Sequence, residues 1–401
     1  MSARRARVIT VFGTRPEAIK LAPVIDAFDL APDFESRTVA TAQHRDLLDN
    51  VLEIFSIQPD HDLDLMRADQ SLAELTSRAM SHLTRALESE APDLVIVQGD
   101  TTSAMVGALS AYYLGFPVAH VEAGLRSSDK RNPFPEEINR QIITRIADLH
   151  FAPTVRNRQT LLNEGVDPST IVVTGNPGID TLLKASSSIN GDRIHALVPG
   201  LASGHRLILV TLHRRESFGK PLARICSALR RVVSANPNVE ILYPVHPNPN
   251  VQRIAQAELG DEARVHLVPP LGYLDFVSAM MSAHIIVTDS GGIQEEAPSL
   301  DTPVLVLRDV TERMEAVSVG AARLVGRDPS QVTSAIQQLL EDPCAYGRMT
   351  GHANPYGDGR AAPRMVEAAR RLLNADRMAP EITTAGPDSE PVSVGGVADA
   401  S

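Results

Sequence analysis

Short apolar runs alternate with helix-sized segments along most of the chain, and this rhythm limits the fold more than any other feature. Residues 8–12, 37–41, 94–98, 118–121 and 171–174 read as one set of strands. Residues 207–212, 239–243, 265–268, 285–288 and 304–307 read as a second set. Helical patterns such as residues 18–28, 72–88 and 218–235 lie between them. Strands that are apolar on both sides, each followed by a helix, belong in parallel sheets covered on both faces. Residues 190–204, with Pro199-Gly200 and Ser203-Gly204, read as a connection between two similar halves. The expected fold is therefore α/β, with two Rossmann-like doubly wound domains and a cleft between them. The expected spans are 1–188 for the first domain, 189–204 for the linker and 205–360 for the second domain. A tail at 379–401, rich in Pro, Gly, Ser and Thr, has little to bury and is expected to be disordered. The length of 401 residues and apolar content of 43% suit two such domains.

In doubly wound sheets, ligands sit beyond the carboxyl ends of the strands. Polar residues gather there in this sequence: Gly13-Thr14-Arg15, Gly99-Asp100, Glu122, His213, His246 and Ser290 each follow an apolar run. The stretch Thr288-Asp289-Ser290-Gly291-Gly292-Ile293-Gln294-Glu295-Glu296-Ala297 is the most informative. It leaves a strand through small residues and enters a helix, where free N–H groups and the helix dipole favour an anion. Glu296 follows about a turn and a half later, where a carboxylate would repel phosphate but could accept from ribose hydroxyls. One segment thus offers a diphosphate cradle and a sugar clamp. The opposing reading is that strand ends are polar because they meet solvent.

Gly13-Thr14-Arg15-Pro16-Glu17 is a glycine turn into a helix, and Arg15 could grip a diphosphate bidentately or be a surface residue beside a cap. The segment lacks the Walker Lys-Ser/Thr and the GxGxxG glycines, so ATPase and dinucleotide readings are poor. Asp100, Glu122 and Glu136 are candidate proton-transfer groups, because carboxylates crowded in a partly dry cleft acquire raised pKa values. Each could instead cap a helix or hold a salt bridge. Arg140 stands one turn from Glu136 and is expected to pair with it. His213 could stabilise a departing phosphate or simply bond backbone. His213 and His246 lack a third ligand at suitable spacing, and Asp62-Leu63-Asp64 sits in a polar loop, so no metal is expected. A net charge of −11 argues against nucleic-acid and membrane partners. Cys226 and Cys344 show no metal or disulfide spacing, and the chain enters its first strand without a signal-like apolar run, so a cytoplasmic location is expected.

Taken together, the motifs resemble the non-hydrolysing UDP-N-acetylglucosamine 2-epimerases from about Arg7 to Arg371. They are Val11-Phe12-Gly13-Thr14-Arg15-Pro16-Glu17-Ala18-Ile19-Lys20, Thr41-Ala42-Gln43-His44-Arg45, Gly99-Asp100-Thr101-Thr102, His120-Val121-Glu122-Ala123-Gly124-Leu125-Arg126, Pro135-Glu136-Glu137, His213-Arg214-Arg215-Glu216-Ser217, and residues 288–299. The resemblance implies a glycosyltransferase-B-like fold, a homodimer, and a C-terminal helix (361–378) packing back on the first domain. It implies C2 epimerisation of UDP-N-acetylglucosamine to UDP-N-acetylmannosamine, by loss of UDP to 2-acetamidoglucal and re-addition. Asp100, Glu122 and Glu136 would be the acid/base set, with Arg15, Lys20 and His213 as further catalytic positions. Leu271, Phe276, Ser290, Gly291, Gly292, Glu296, Arg313 and Arg140 would bind substrate, Phe276 lying against the uracil and Glu296 on the ribose. No cofactor is implied. Gln43, His44, Gln70, Arg214 and His246 match residues lining a second, activating UDP-N-acetylglucosamine site. Asp69 stands there where some members carry a basic residue, and Pro177-Gly178 alters the usual Asn-Thr-Val sequence. The alternatives are a hydrolysing 2-epimerase releasing UDP and N-acetylmannosamine, a UDP-sugar glycosyltransferase needing an acceptor, and a non-catalytic nucleotide-sugar sensor.

Overall fold

The computed structural model describes residues 4–378 except 43–44, 68, 128, 190 and 215–217. Gln43, His44 and the tail at 379–401 lie outside the described residues. Seven strands form the first sheet: β1 (Ala6–Phe12), β2 (Phe34–Ala40), β3 (His61–Asp62), β4 (Leu94–Gln98), β5 (Val118–Val121), β6 (Leu149–Ala152) and β7 (Ile171–Val173). Six form the second: β8 (Arg206–Thr211), β9 (Val239–Pro244), β10 (Val265–Val268), β11 (Ala283–Thr288), β12 (Val304–Val306) and β13 (Ala322–Leu324). The strand orders are β3-β2-β1-β4-β5-β6-β7 and β10-β9-β8-β11-β12-β13, with parallel pairing throughout. Both orders reverse direction once, at β1/β4 and at β8/β11. A crevice opens at each of these switch points, because the helices leaving the two strands go to opposite faces.

The central strands form because nearly every residue of β4 and β5 is buried on both faces, leaving β-branched and aliphatic side chains no polar surface. Three strands escaped the sequence pattern. β3 has two residues, β13 carries Arg323 in its middle, and β6 has His150 inside its apolar run. Helices Arg15–Asp29 and Ala361–Met378 share one face of the first sheet: Leu21, Val24, Phe28, Met365, Val366 and Ala369 enter the same core as Phe12 and Ile96. Val11, Val95 and Leu83 belong to the core on the opposite face. The second sheet likewise has a core on each face.

Two connections bring the halves together. Helix Pro177–Ser188 follows β7, yet Ile179 and Leu182 are buried in the same core as Leu207 and Val304 of the second sheet. Within the segment read as a linker, Ile194 and Val198 enter that core too. From the first half, Ile19, Ile54 and Phe55 pack against it. The strand ends of the two sheets therefore face one another.

Candidate active site

The loop after β1 is built by Glu17. Its carboxylate, 1% exposed, accepts from Gly13 N–H at 3.0 Å, Thr14 N–H at 2.7 Å and the Thr14 hydroxyl at 2.8 Å. The other oxygen accepts from the Thr101 hydroxyl at 2.6 Å. One side chain thereby ties the two sides of the first switch point together. Gly13 has no alternative here, since a Cβ would stand 2.1 Å from Thr41 Oγ1 and 2.6 Å from Ser103 Oγ. The pattern Thr-x-x-Glu is a capping box and was open to sequence reading, although Glu17 was not singled out.

Glu122 and Lys20 form the centre of this loop cluster. Lys20 Nζ lies 2.7 Å from Glu122 Oε2, with side-chain exposures of 20% and 10%. Gln98 Nε2 donates to the same oxygen. Glu122 follows β5 in the left-handed region at φ 70°, where a non-glycine residue is strained. Burial pushes the Glu122 carboxyl upward, but Lys20, Arg313 and Arg140 outweigh it and hold it below its ordinary value. Burial pulls the Lys20 ammonium down, but Glu122 and Glu295 outweigh that and hold it up. Asp100, after β4, moves the other way, with burial raising it against the opposing pull of Arg140. Two neighbouring carboxylates with separated proton affinities are what acid/base chemistry requires. His120, under Gly99, is pushed down to about 3 by burial and bonds the Gly99 carbonyl at 2.8 Å, so it is a neutral support for that loop.

Arg140 departs from its expected pairing. Its guanidinium bonds Asp100, and its Nη1 lies 3.3 Å from Glu137 rather than from Glu136. Glu137, buried in the first turn of the helix Glu136–Ile146, also accepts from Ser127 N–H at 2.9 Å. Asn139 Nδ2 donates to the Asp100 carbonyl at 2.8 Å. Glu136, first in that helix, keeps a buried Oε2 with no hydrogen-bond partner among the described residues.

The second switch point is organised by Asp289, a residue not singled out from sequence. It is fully buried and accepts from the backbone N–H groups of His213 at 3.1 Å and Arg214 at 3.1 Å. His213 Nδ1 stands 3.1 Å from the same carboxylate while half the side chain remains exposed. Thr288 Oγ1 accepts from Ser290 N–H at 2.9 Å and fixes the start of helix Gly291–Glu296. A Cβ on Gly292 would meet nothing within 4 Å, whereas one on Gly291 would stand 2.8 Å from Arg313 Cζ.

Arg313 links the halves. Its Nε donates to Glu295 Oε1 at 2.9 Å, and its Nη1 bonds Glu312. Asn176, from the first half, donates to Glu295 Oε2 at 2.6 Å. The field of Arg313 also reaches Glu122. The alternating series Glu122, Lys20, Glu295, Arg313 therefore crosses from one sheet to the other. Glu295 adjoins the expected ribose residue Glu296, and nothing in the sequence told which of the pair faces inward. Glu296 is pushed up to about 7 by burial and by Glu295. Leu271 and Phe276 are half-buried against the core beneath this cleft. Arg15 has its guanidinium pulled down by burial, with Tyr273 of the second half as a close electrostatic neighbour.

The remaining expected positions are less connected. Arg214 Nε donates to the Asp289 carbonyl at 3.0 Å, and its Nη2 lies 3.5 Å from Glu312. His246 accepts from Asn248 N–H at 3.1 Å and packs its ring on Phe218. Gln70 donates to Met66 Sδ at 3.2 Å. Asp62-Leu63-Asp64 begins within the edge strand β3 and belongs to no group of metal-binding side chains among the described residues.

A sequence profile of the family described as UDP-N-acetylglucosamine 2-epimerase matches residues 26–370. The chain is 46% identical over 364 residues to the UDP-N-acetylglucosamine 2-epimerase of Bacillus subtilis, covering 91% of this chain and 95% of that protein. It is 47% identical over 369 residues to the enzyme of that name from Escherichia coli K12, covering 91% and 98%. Among solved structures it superposes with a TM-score of 0.85 on the Neisseria meningitidis UDP-GlcNAc 2-epimerase bound to UDP-GlcNAc, at 43% identity and covering 91% of this chain and all of that one. Profile, relatives and fold agree: this chain belongs to the UDP-N-acetylglucosamine 2-epimerase family.

Proposed function

We propose that this protein interconverts UDP-N-acetylglucosamine and UDP-N-acetylmannosamine by elimination and re-addition of UDP. The C2 hydrogen has no adjacent carbonyl to acidify it. A carboxylate therefore takes that proton as the C1–O bond to UDP breaks, and the C–H electron pair becomes the C1=C2 bond of 2-acetamidoglucal. Protonation of C2 from the other face and return of the UDP oxygen to C1 complete the inversion. The chemistry needs an ionised carboxylate, a second carboxyl able to carry a proton, and a firm hold on a departing anion.

The observation that carries this reading is the opposed pair at the first switch point. Glu122 is held ionised by Lys20 at 2.7 Å, while Asp100 beside Arg140 is shifted toward its protonated form. Glu136, with a buried oxygen unpaired among the described residues, completes the set. Arg15 and His213, with the Ser290 hydroxyl and the N–H groups of Gly291 and Gly292, serve the diphosphate. Glu296 serves the ribose, Leu271 and Phe276 the uracil, and Arg313 and Arg140 hold the carboxylates in place. The proposal includes a homodimer in the cytoplasm; no helix among the described residues is long and apolar enough to cross a membrane.

Incubating the protein with UDP-N-acetylglucosamine in deuterated buffer tests the route by NMR. Both C2 epimers should appear, labelled at C2. Unlabelled epimer would overturn elimination, and stoichiometric free UDP with N-acetylmannosamine would assign the hydrolysing reaction instead.

A further inference from the structure

Tyr273 opens the helix Tyr273–Ser282, two residues after Leu271 and one turn before Phe276, so it shares the face of the helix that Phe276 occupies. The residue is 4% exposed, and its hydroxyl finds no hydrogen-bond partner among the described residues. A buried unpaired hydroxyl is costly, and such groups are the exception in folded proteins. Its surroundings say what it awaits. The ring is held edge-on by Phe55 of the first half, with centroids 5.6 Å apart at 61°. The hydroxyl lies in the fields of Glu296 on its own half and of Arg15 across the cleft. Tyr243 also carries a hydroxyl unpartnered among the described residues, but inside the second core, with Cys226 and Asp289 as electrostatic neighbours. Tyr273 alone of the two stands where both halves meet.

We infer that the Tyr273 hydroxyl is a substrate contact that donates to the diphosphate of the bound UDP-sugar, between the cation Arg15 and the ribose-facing Glu296. The inference rests on the functional reading above. Burial, reinforced by Glu296, raises the phenol well above its ordinary value, so at neutral pH the group is a donor. A neutral donor beside a guanidinium suits an anion, and hydrogen bonds to ionised oxygens are the strong ones. Charge grows on the diphosphate as the C1–O bond breaks, so this contact tightens toward the transition state.

Tyr273→Phe removes the oxygen and keeps the ring that Phe55 packs against. Three readouts are expected. The melting temperature without nucleotide is unchanged or higher, because an unpaired polar atom is lost. The Kd for UDP by calorimetry rises about tenfold, and kcat falls about tenfold or more. A lower melting temperature with unchanged UDP affinity would make the hydroxyl structural and overturn the inference. Weaker UDP binding with unchanged kcat would show a contact that does not tighten toward the transition state and also overturn it. The two readings fail separately. Wild-type protein that binds UDP through Tyr273 but forms no epimer sinks the proposed reaction alone. Wild-type epimerisation that Tyr273→Phe leaves untouched sinks the contact alone.

Discussion

Glu122 concentrates most of the chemistry that the proposed reaction asks of single residues. Its left-handed backbone costs about 1 kcal/mol or more and aims the carboxylate at Lys20 instead of along the strand. Removing one member of so enclosed a pair leaves a buried charge alone. Lys20→Met should therefore destabilise the protein by about 3 kcal/mol in urea unfolding and lower kcat at least ~100-fold. The double variant Lys20→Met, Glu122→Gln should recover most of that stability and none of the activity. If the double variant is as unstable as the sum of the singles, the pair is not coupled. Glu296 gives a pH test. With its carboxyl pushed up to about 7, it would become the acceptor its proposed ribose role needs only as pH rises through neutrality. UDP affinity should strengthen from pH 6 to 8, more steeply than in Glu296→Gln, measured by calorimetry in matched buffers. The stability sign is opposite. A carboxyl that holds a proton in the folded state and loses it in the unfolded state makes the protein less stable as pH rises from the ordinary carboxylate range to about 7. Melting temperatures that respond to pH identically in Glu296→Gln would refute the shift. Residue types at strand ends were legible from the sequence because each follows an apolar run. Partners were not: Arg140 was expected on Glu136, yet goes to Asp100 and Glu137 from positions 40 and 3 residues away.

At the scale of elements, the switch-point loops are held by buried carboxylates rather than by helix propensity. Glu17 is the clearest case, since it satisfies two backbone donors and two hydroxyls at once. Glu17→Ala should cost about 3 kcal/mol through the stranded donors. It should also lower kcat, because Arg15 begins the helix those bonds position. Full activity with a lowered melting temperature would show that the loop does not depend on this brace. The helix Ala361–Met378 is secured differently. Asp180, buried on helix Pro177–Ser188, accepts from Ala361 N–H at 3.2 Å and Ala362 N–H at 3.0 Å, capping one helix from another. Asp180→Ala should cost about 1 kcal/mol and speed amide exchange at Ala361 and Ala362, with kcat kept. Unchanged exchange there would refute the cap. Central strands and long helices were readable because periodicity reports burial directly. β3 and β13 were not, because a short edge strand buries too little to impose a pattern, and β6, though buried, has its short apolar run broken by His150.

At the scale of the whole molecule, the cleft exists because two parallel sheets present their carboxyl edges to each other. Helix Pro177–Ser188, with Phe55 and Ile19, shares a core with the second sheet, and Asn176, Glu295 and Arg313 carry polar contacts across. In the proposed reaction, substrate gripped by the second half is thereby brought to the carboxylates of the first. What the chain alone determined is the architecture and the candidate chemistry. Continuous apolar strands can satisfy their backbone and hide their side chains only in covered parallel sheets, and the motifs at their ends carry a family likeness. What only the tertiary structure decided is the wiring between groups far apart in sequence. Lys20 meets Glu122, Asp289 holds His213, and Tyr273 stands opposite Arg15. Electrostatic partnership depends on distance and burial in space, and neither is written in the order of residues along the chain.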